Sequence, residues 1–302
     1  MGEEPKSETV GVLYALAAYT MWGLLPLYWR LLDGVAPFEV AMHRIFWCAL
    51  LVGVITLMRK RVPRIRGVLR RRRLLLALTL SSLLIAVNWT TYIYSVALHH
   101  VVEASLGYFI NPLLSILLGV FLLGEKISRL RIAAVVLASL ALVVKAVLLG
   151  HVPVIALVLA LTFALYGYVR KLVPVDPLDG LFIESALLVP VALIVLAGLA
   201  LPQPFALAQI PTQGAILLII SGAVTALPLT LFAAGARRIR LSTLGFVQYI
   251  SPILTLLVAI LLFREPFTAV DGFTFGCIWL ALLLVFFEKP LQRWLPLARH
   301  AG

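Results

Sequence analysis

Few residues in this chain could do chemistry, and several of those interrupt long apolar runs. Arg44, Glu103 and Glu184 lie in such runs, and Arg237, Arg238 and Arg240 close another. An ionised side chain at the centre of a membrane span costs roughly 3 kcal/mol on insertion scales, so each is a functional candidate by default. Arg44 with Glu103 would make an ion pair towards one end of the molecule. Glu184 with Arg237 or Arg240 would make a second towards the other. Pairs that break alternately form a gate, whereas pairs that hold permanently only let charges sit inside a bundle. Both readings stay open on sequence grounds.

Catalysis has little to work with. A hydrolytic or transfer site needs clustered acids, a nucleophile with its base, or metal ligands. Asp33, Asp176, Asp179 and Asp271 fall in or beside connections and do not cluster in sequence. His99 and His100 are adjacent, so they do not share a helix face and are a poor metal site. His43, beside Arg44, is either a packed histidine or a proton relay. Cys48 and Cys277 lie in apolar runs and read as small packing residues. No phosphate-binding GxxxxGK[ST] loop occurs, so nucleotide drive is not expected. The expectation is no catalytic residue, no metal and no cofactor.

The elements that must position these residues follow from composition. Of 302 residues, 63% are apolar and only 13% charged, and the mean hydropathy is +1.08. Soluble domains average about half apolar and about a quarter charged, so an ordinary soluble enzyme and a disordered chain are both excluded. A span needs roughly 20 apolar residues. Ten runs qualify: 10–32, 38–58, 74–98, 101–123, 130–148, 152–172, 178–200, 214–236, 241–263 and 269–287. They are long and do not alternate, which favours helices over barrel strands. The expected fold is an all-α integral membrane protein with short tails at 1–9 and 288–302. The segment before Ala15 carries three Glu, and the apolar run continues beyond it, so an uncleaved first span is the better reading.

The net charge of +12 is distributed, not patched. Lys and Arg number 21 at one set of span ends and 3 at the other. The positive-inside rule then puts both termini in the cytoplasm. Basic residues without interleaved aromatics argue against nucleic acid. Arg70 to Arg73 are expected to touch anionic lipid head groups. A monomer and a homodimer fit equally well.

An internal repeat carries the most information. Pro112 and Glu125 are matched by Pro252 and Glu265 at an offset of 140, as are Ile110 by Ile250 and Phe109 by Tyr249. Tyr19-x-x-Trp22-Gly23 matches Phe163-x-x-Tyr166-Gly167 at 144. Two units of five spans, 10–148 and 152–287, must enter the membrane from opposite sides, because five is odd. Inverted repeats of this kind are a secondary-transporter architecture, with substrate bound near the midplane between the halves. Pro112, Pro228 and Pro252 lie in mid-span, where each frees a carbonyl and kinks the helix. Candidate lining residues are Tyr19, Trp22, Asn88, Trp89, Tyr108, Asn111, Tyr166, Gln248 and Tyr249. The amides could bind substrate or simply tie neighbouring helices together. The aromatics could form a pocket for flat or apolar groups.

These residues also carry a resemblance. The stretch Glu103-Ala-Ser-Leu-Gly-Tyr-Phe-Ile-Asn-Pro112-Leu113 resembles the signature of the RarD-type permeases, in the EamA group of the drug/metabolite transporter superfamily. Further matching stretches are Ala18-Tyr19-x-x-Trp22-Gly23-x-x-Pro26-x-Tyr28, His43-Arg44-x-x-Trp47, Asn88-Trp89 and His99-His100. The second half adds Tyr166-Gly167-x-x-Arg170-Lys171 and Leu241-Ser-Thr-Leu-Gly-Phe-Val-Gln-Tyr249-Ile-x-Pro252. Cys48, Ser185 and Arg264 stand where that family leads one to expect Ser, Thr and Gly. The resemblance implies ten helices in inverted five-helix repeats and a bacterial inner membrane. It also implies export of small organic metabolites such as amino acids or drug-like amphiphiles, and the family label carries an association with chloramphenicol resistance. An uptake carrier, a passive channel, and a membrane enzyme or receptor remain the alternatives.

Overall fold

The computed structural model describes residues 4–32, 35–97, 101–148, 154–197, 212–264 and 268–288. Every regular element among them is a helix. The first half contains α1 (Glu4–Arg30), α2 (Pro37–Met58), α3 (Val62–Leu69), α4 (Arg72–Ala97), α5 (Val101–Leu123) and α6 (Arg129–Leu148). The second contains α7 (Val154–Leu172), α8 (Pro177–Leu196), α9 (Thr212–Ala236), α10 (Leu241–Gln248), α11 (Ile250–Leu261) and α12 (Ala269–Phe286). Eight stretches are long and apolar enough to cross a bilayer, with Leu241–Val258 of α10 and α11 counted as one. Shorter apolar runs lie in α5 (Gly107–Leu123) and α12 (Gly272–Val285). The ten expected spans are all represented.

Two departures have clear causes. The basic stretch after α2 is not all loop: α3 is an eight-residue helix. Its Ile65 is buried with Leu78, Val173, Val175 and Ile183, while Arg64 and Arg66 stay exposed. The ninth span is split at Tyr249, three residues before Pro252, where Tyr249 N–H bonds Phe246 O instead of continuing the α-helical ladder. Pro252 thus ends one helix segment and admits the next. Pro112 and Pro228 lie inside α5 and α9, which run on past them, so the chain is divided only at the third of these prolines. Helices packed in a bundle can tolerate an internal proline when neighbours hold them in place.

The path is inverted. Partners at the basic end include Arg61 with Asp176, Arg131 with Glu288, Lys171 with Ile239 O, and Glu125 with the start of α10. These contacts bring together the end of α2, the starts of α6 and α8, the ends of α5, α7 and α9, and the start of α10. Therefore α1 runs away from the basic end, while its repeat counterpart α7 runs towards it. Packing obeys the same symmetry. α1 lies on α9 and α11, and α7 lies on their counterparts α4 and α5. The pairs α2/α8, α5/α10 and α6/α12 are each self-matched across the repeat.

Small residues allow the close approaches that membrane helices need in place of a hydrophobic drive. In α6, Ala134, Ala138 and Ala141 are buried, and Ile132, Val136, Leu140, Val143 and Val147 are exposed on the outside. Gly222 of α9 lies so near α2 that a Cβ there would come within 2.5 Å of the Trp47 backbone.

Glu125 joins the repeats at the basic end. Its carboxylate accepts from Leu241 N–H (2.7 Å), Ser242 N–H (2.8 Å) and the Ser242 hydroxyl (2.7 Å). It thereby caps α10, whose first N–H groups have no partner within the helix. Replacing Glu125 with Ala should destabilise the protein by about 1–2 kcal/mol. The readout is a lower apparent Tm in detergent, with Glu125→Gln in between.

Candidate functional site

The interior holds a buried ion pair. Arg170 Nη1 lies 3.4 Å from Glu184 Oε1, and the two side chains are 1% and 3% exposed. Arg170 is near the end of α7 and Glu184 two turns into α8, so the hairpin between these helices brings them to one depth. Glu184 also accepts from the Ser81 hydroxyl of α4 and the Tyr166 hydroxyl of α7. Ser82 donates to its main-chain carbonyl at 3.0 Å. Arg170 Nη2 donates to Pro177 O at 3.2 Å, but Nε and Nη1 make no hydrogen bond among the described residues. Gly180 provides the room: a Cβ there would meet Arg170 Nη1 at 2.1 Å. The sequence reading pairs Glu184 with Arg237 or Arg240, and this is corrected. Arg237 Nη1 donates to Val175 O at 2.7 Å, and Arg240 Nη1 to Lys126 O at 3.4 Å. Both lie beyond the end of α9 and serve the loops there, whereas Arg170 extends inward beside Glu184.

Beside the pair stands an aromatic cluster from α1, α7 and α9. Tyr166 stacks on Phe232 at 5.7 Å, and Trp22 meets Phe163 and Phe232 edge-on or tilted at 5.5 and 5.6 Å. Tyr19 touches Trp22 and donates to Gln248 Oε1 at 3.3 Å, an oxygen that Ser115 also approaches at 3.4 Å. Tyr19, Trp22, Tyr166 and Gln248 are therefore gathered in one region. Asn88 is engaged elsewhere: its amide donates to Leu159 O (2.8 Å) and Thr162 Oγ1 (3.0 Å), tying α4 to α7. Tyr249 belongs to a second apolar cluster with Phe109, Leu113 and Ile116, where α10 crosses α5. The Tyr249 hydroxyl and Asn111 Oδ1 are buried without hydrogen-bond partners among the described residues.

Arg44 occupies a different chamber. Its guanidinium lies 4.6 Å from the Trp29 ring and 4.8 Å from the Trp89 ring, and its Nε donates to Thr225 Oγ1 at 3.1 Å. Tyr108, 40% exposed, packs against Tyr92 nearby. The side chain of Glu103 lies outside the described residues, as do His99 and His100. Between the chambers, Cys48 Sγ of α2 is 3.6 Å from Ser185 Oγ of α8.

Two small cavities adjoin these groups. One of about 10 Å³ touches Cys48, Trp89, Tyr166, Glu184 and Ser185. That is room for about one water. The second, about 60 Å³, is walled by Met42, Ile45, Ala86, Trp89 and Leu188. No group of three or more His, Cys, Asp or Glu among the described residues could hold a metal ion.

The basic end is closed by contacts between halves. Arg61 donates to Asp176 at 2.7 Å and to Asp179 at 3.1 Å. Burial pushes the Asp176 carboxyl up. The Arg61 guanidinium, with the Leu178 and Asp179 N–H groups, overrides this and holds it below the usual carboxylate range. Glu125 on the start of α10 is another contact that crosses, and within the second half Lys171 Nζ reaches Ile239 O at 2.5 Å. Arg61 enters the sequence analysis only among the basic residues at span ends, and Arg170 and Lys171 only there and in the Tyr166-Gly167-x-x-Arg170-Lys171 stretch, with no partner assigned. A signal for Arg170 exists in Gly180, one turn before Glu184, but nothing in a single sequence ties a loop arginine to that glycine.

A bundle of ten inverted spans around a small polar and aromatic interior is a membrane-transporter fold. The comparisons with known proteins give the same class. The EamA-like transporter family matches residues 9–146. An uncharacterized transporter of Vibrio cholerae is 41% identical over 274 residues, 91% of either chain. Protein RarD of Escherichia coli K12 is 41% identical over 281 residues, 93% of this chain and 95% of its own. A chloramphenicol-sensitive protein RarD of Pseudomonas aeruginosa is 30% identical over 278 residues, 91% of this chain and 92% of its own. A crystal structure superposes with a TM-score of 0.69 at 19% identity, covering 92% of this chain and 98% of that one, and supports the fold alone. The chain belongs to the EamA-like transporter family of the drug/metabolite transporter superfamily, with RarD proteins among its relatives. It is a multi-pass membrane protein.

Removing one partner of a buried ion pair costs about 3–5 kcal/mol, while replacing both by apolar groups can be nearly neutral. Arg170→Ala should therefore lower the Tm in detergent sharply, and Arg170→Met with Glu184→Met should recover most of the loss. Gly180→Ala should behave like Arg170→Ala. A wild-type Tm for Arg170→Ala would refute the pairing.

Proposed function

We propose that this chain is a secondary transporter that exports small organic metabolites from the bacterial cytoplasm by alternating access. The observation that carries the reading is the enclosed interior between two inverted halves, with the basic end shut by contacts that cross from one half to the other. A carrier needs an occluded stage, and cavities of about 10 and 60 Å³ are what an occluded interior leaves. The excess of Lys and Arg at one set of span ends makes that end cytoplasmic, with both termini there. The inner membrane is the compartment of this reading. Opening towards the cytoplasm then requires Arg61 to leave Asp176 and Asp179. The Arg70 to Arg73 run lies at the same end, suited to anionic head groups.

Export is tested by comparing extracellular metabolites from cells overproducing the intact protein and its Arg44→Ala variant at matched membrane abundance. At least one small amphipathic compound should accumulate outside only with the intact protein. Identical extracellular profiles would refute export under those conditions, and saturable counterflow in proteoliposomes would separate a carrier from a channel.

The closure makes its own prediction. Asp176 has a depressed value, so its contribution is fully present above the ordinary carboxylate range and is lost as pH falls through that depressed value. Spin-label distances between Arg59 and Arg238 positions should lengthen on acidification. Asp176→Asn with Asp179→Asn should give the longer distance already at neutral pH. Unchanged distances in the double variant would show that other contacts keep this end shut.

A further inference from the structure

Arg44 is held differently from Arg170. Arg170 has Glu184, whereas among the described residues no carboxylate forms an ion pair with Arg44. Among the described residues, the ionisable groups within electrostatic reach of it are the Tyr28, Tyr92 and Tyr108 hydroxyls and the Cys48 thiol. A guanidinium carries five N–H donors in a planar fork. Here Nε is used on Thr225, and the two terminal nitrogens have no acceptor among the described residues. Trp29 of α1 and Trp89 of α4 lie against the group at 4.6 and 4.8 Å. Rings at that range stabilise the cation and fix its plane without consuming its donors. The position is one where α1, α2, α4 and α9 converge, so both halves of the molecule reach it. An unpaired charge in such a place is costly and is kept where it has a use.

The neighbourhood fits a ligand with two ends. Trp89 is shared between Arg44 and the cavity of about 60 Å³, whose other walls include Met42, Ile45, Ala86 and Leu188. One side of that indole faces a fork suited to a planar two-oxygen anion. Beyond it lies apolar space. We propose that Arg44 binds the carboxylate of the transported molecule, a small monocarboxylate whose compact apolar or aromatic body enters the cavity beside Trp89. This rests on the transporter reading and names its substrate class. It also replaces the Arg44–Glu103 gate with a role that does not require Glu103.

The test is equilibrium binding to the full chain in phosphatidylcholine nanodiscs, by calorimetry, with benzoate, phenylacetate and 3-phenylpropionate as probes. Each is compared with its uncharged amide. At least one acid should bind saturably, with its amide at least tenfold weaker. Arg44→Gln should remove that preference, Arg44→Lys should keep part of it, and Glu103→Gln should leave it intact. The proposal is overturned if no acid binds, if acid and amide bind alike, or if Glu103→Gln abolishes the preference. The acid-against-amide comparison uses the unmodified protein, so it stands even where Arg44→Gln does not fold. A lipid phosphate is the other source of an anion. If adding phosphatidylglycerol to the nanodiscs abolishes acid binding, and raises the Tm of the intact protein but not of Arg44→Gln, the site belongs to lipid and the proposal fails. Binding is measured without flux, so Arg44-dependent binding in a protein that exports nothing would refute export and leave this site standing.

Discussion

In hydrocarbon no water completes a hydrogen bond, so every helix end and every charge near the membrane interior must be satisfied by the chain itself. Much of this structure follows from that constraint. Glu125 leaves its own helix pair to supply the open N–H groups of α10. Asp176 accepts from Leu178 N–H at the start of α8 and holds Arg61 as well. Lys171 is spent on a carbonyl beyond the end of α9. Two of these four partnerships, Glu125 with α10 and Arg61 with Asp176, cross between the halves; the Asp176 cap and the Lys171 contact stay within the second. Neither half could satisfy its own ends alone, so the groups that seal the bundle are also those that join its halves. A conformational change that separates the halves must break these contacts and offer the freed groups to water.

The repeat explains why the same solutions recur in mirrored places. α2 and α8 both start on a proline, Pro37 and Pro177, and both carry an acid in the first turn, Glu39 and Asp179. Proline costs nothing there because its missing N–H would have had no partner, and the acid favours the positive end of the helix dipole. The helices then diverge. Position 180 is glycine, which lets Arg170 lie against α8, and the matching position 40 is valine. Glycine at 180 and glutamate at 184, against valine at 40 and arginine at 44, go with the ion pair buried in the second half.

The spans, their number and the repeat were legible because hydropathy needs only about 20 residues of context and the Pro112/Glu125 spacing is copied at Pro252/Glu265. The gathering of Tyr19, Trp22, Tyr166 and Gln248 was legible as a set of types, not as contacts. Partner choice was not legible. Glu184 has several arginines within reach along the sequence, and only the α7–α8 hairpin selects Arg170. Asn88 could equally have faced a cavity; its two donors go to Leu159 O and Thr162 because α4 lies against α7. The split at Tyr249, with Pro112 and Pro228 leaving their helices whole, depends on neighbours that hold α5 and α9 and that a proline alone does not reveal.

Arg44 and Glu184 are the eighth residues of α2 and α8, and the offset between them is that of the repeat. These two helices pack on each other. Because the repeat is inverted, equal distance from each helix start means opposite depth in the membrane: Arg44 towards the end away from the basic loops, Glu184 towards them. The two halves therefore carry opposite charges at matched positions, too far along the bundle to neutralise each other directly, and Cys48 and Ser185 meet between them. Glu184 is compensated from within by Arg170, while Arg44 has aromatic faces and one hydroxyl. The asymmetry here gives one chamber a balanced charge and the other an unbalanced one.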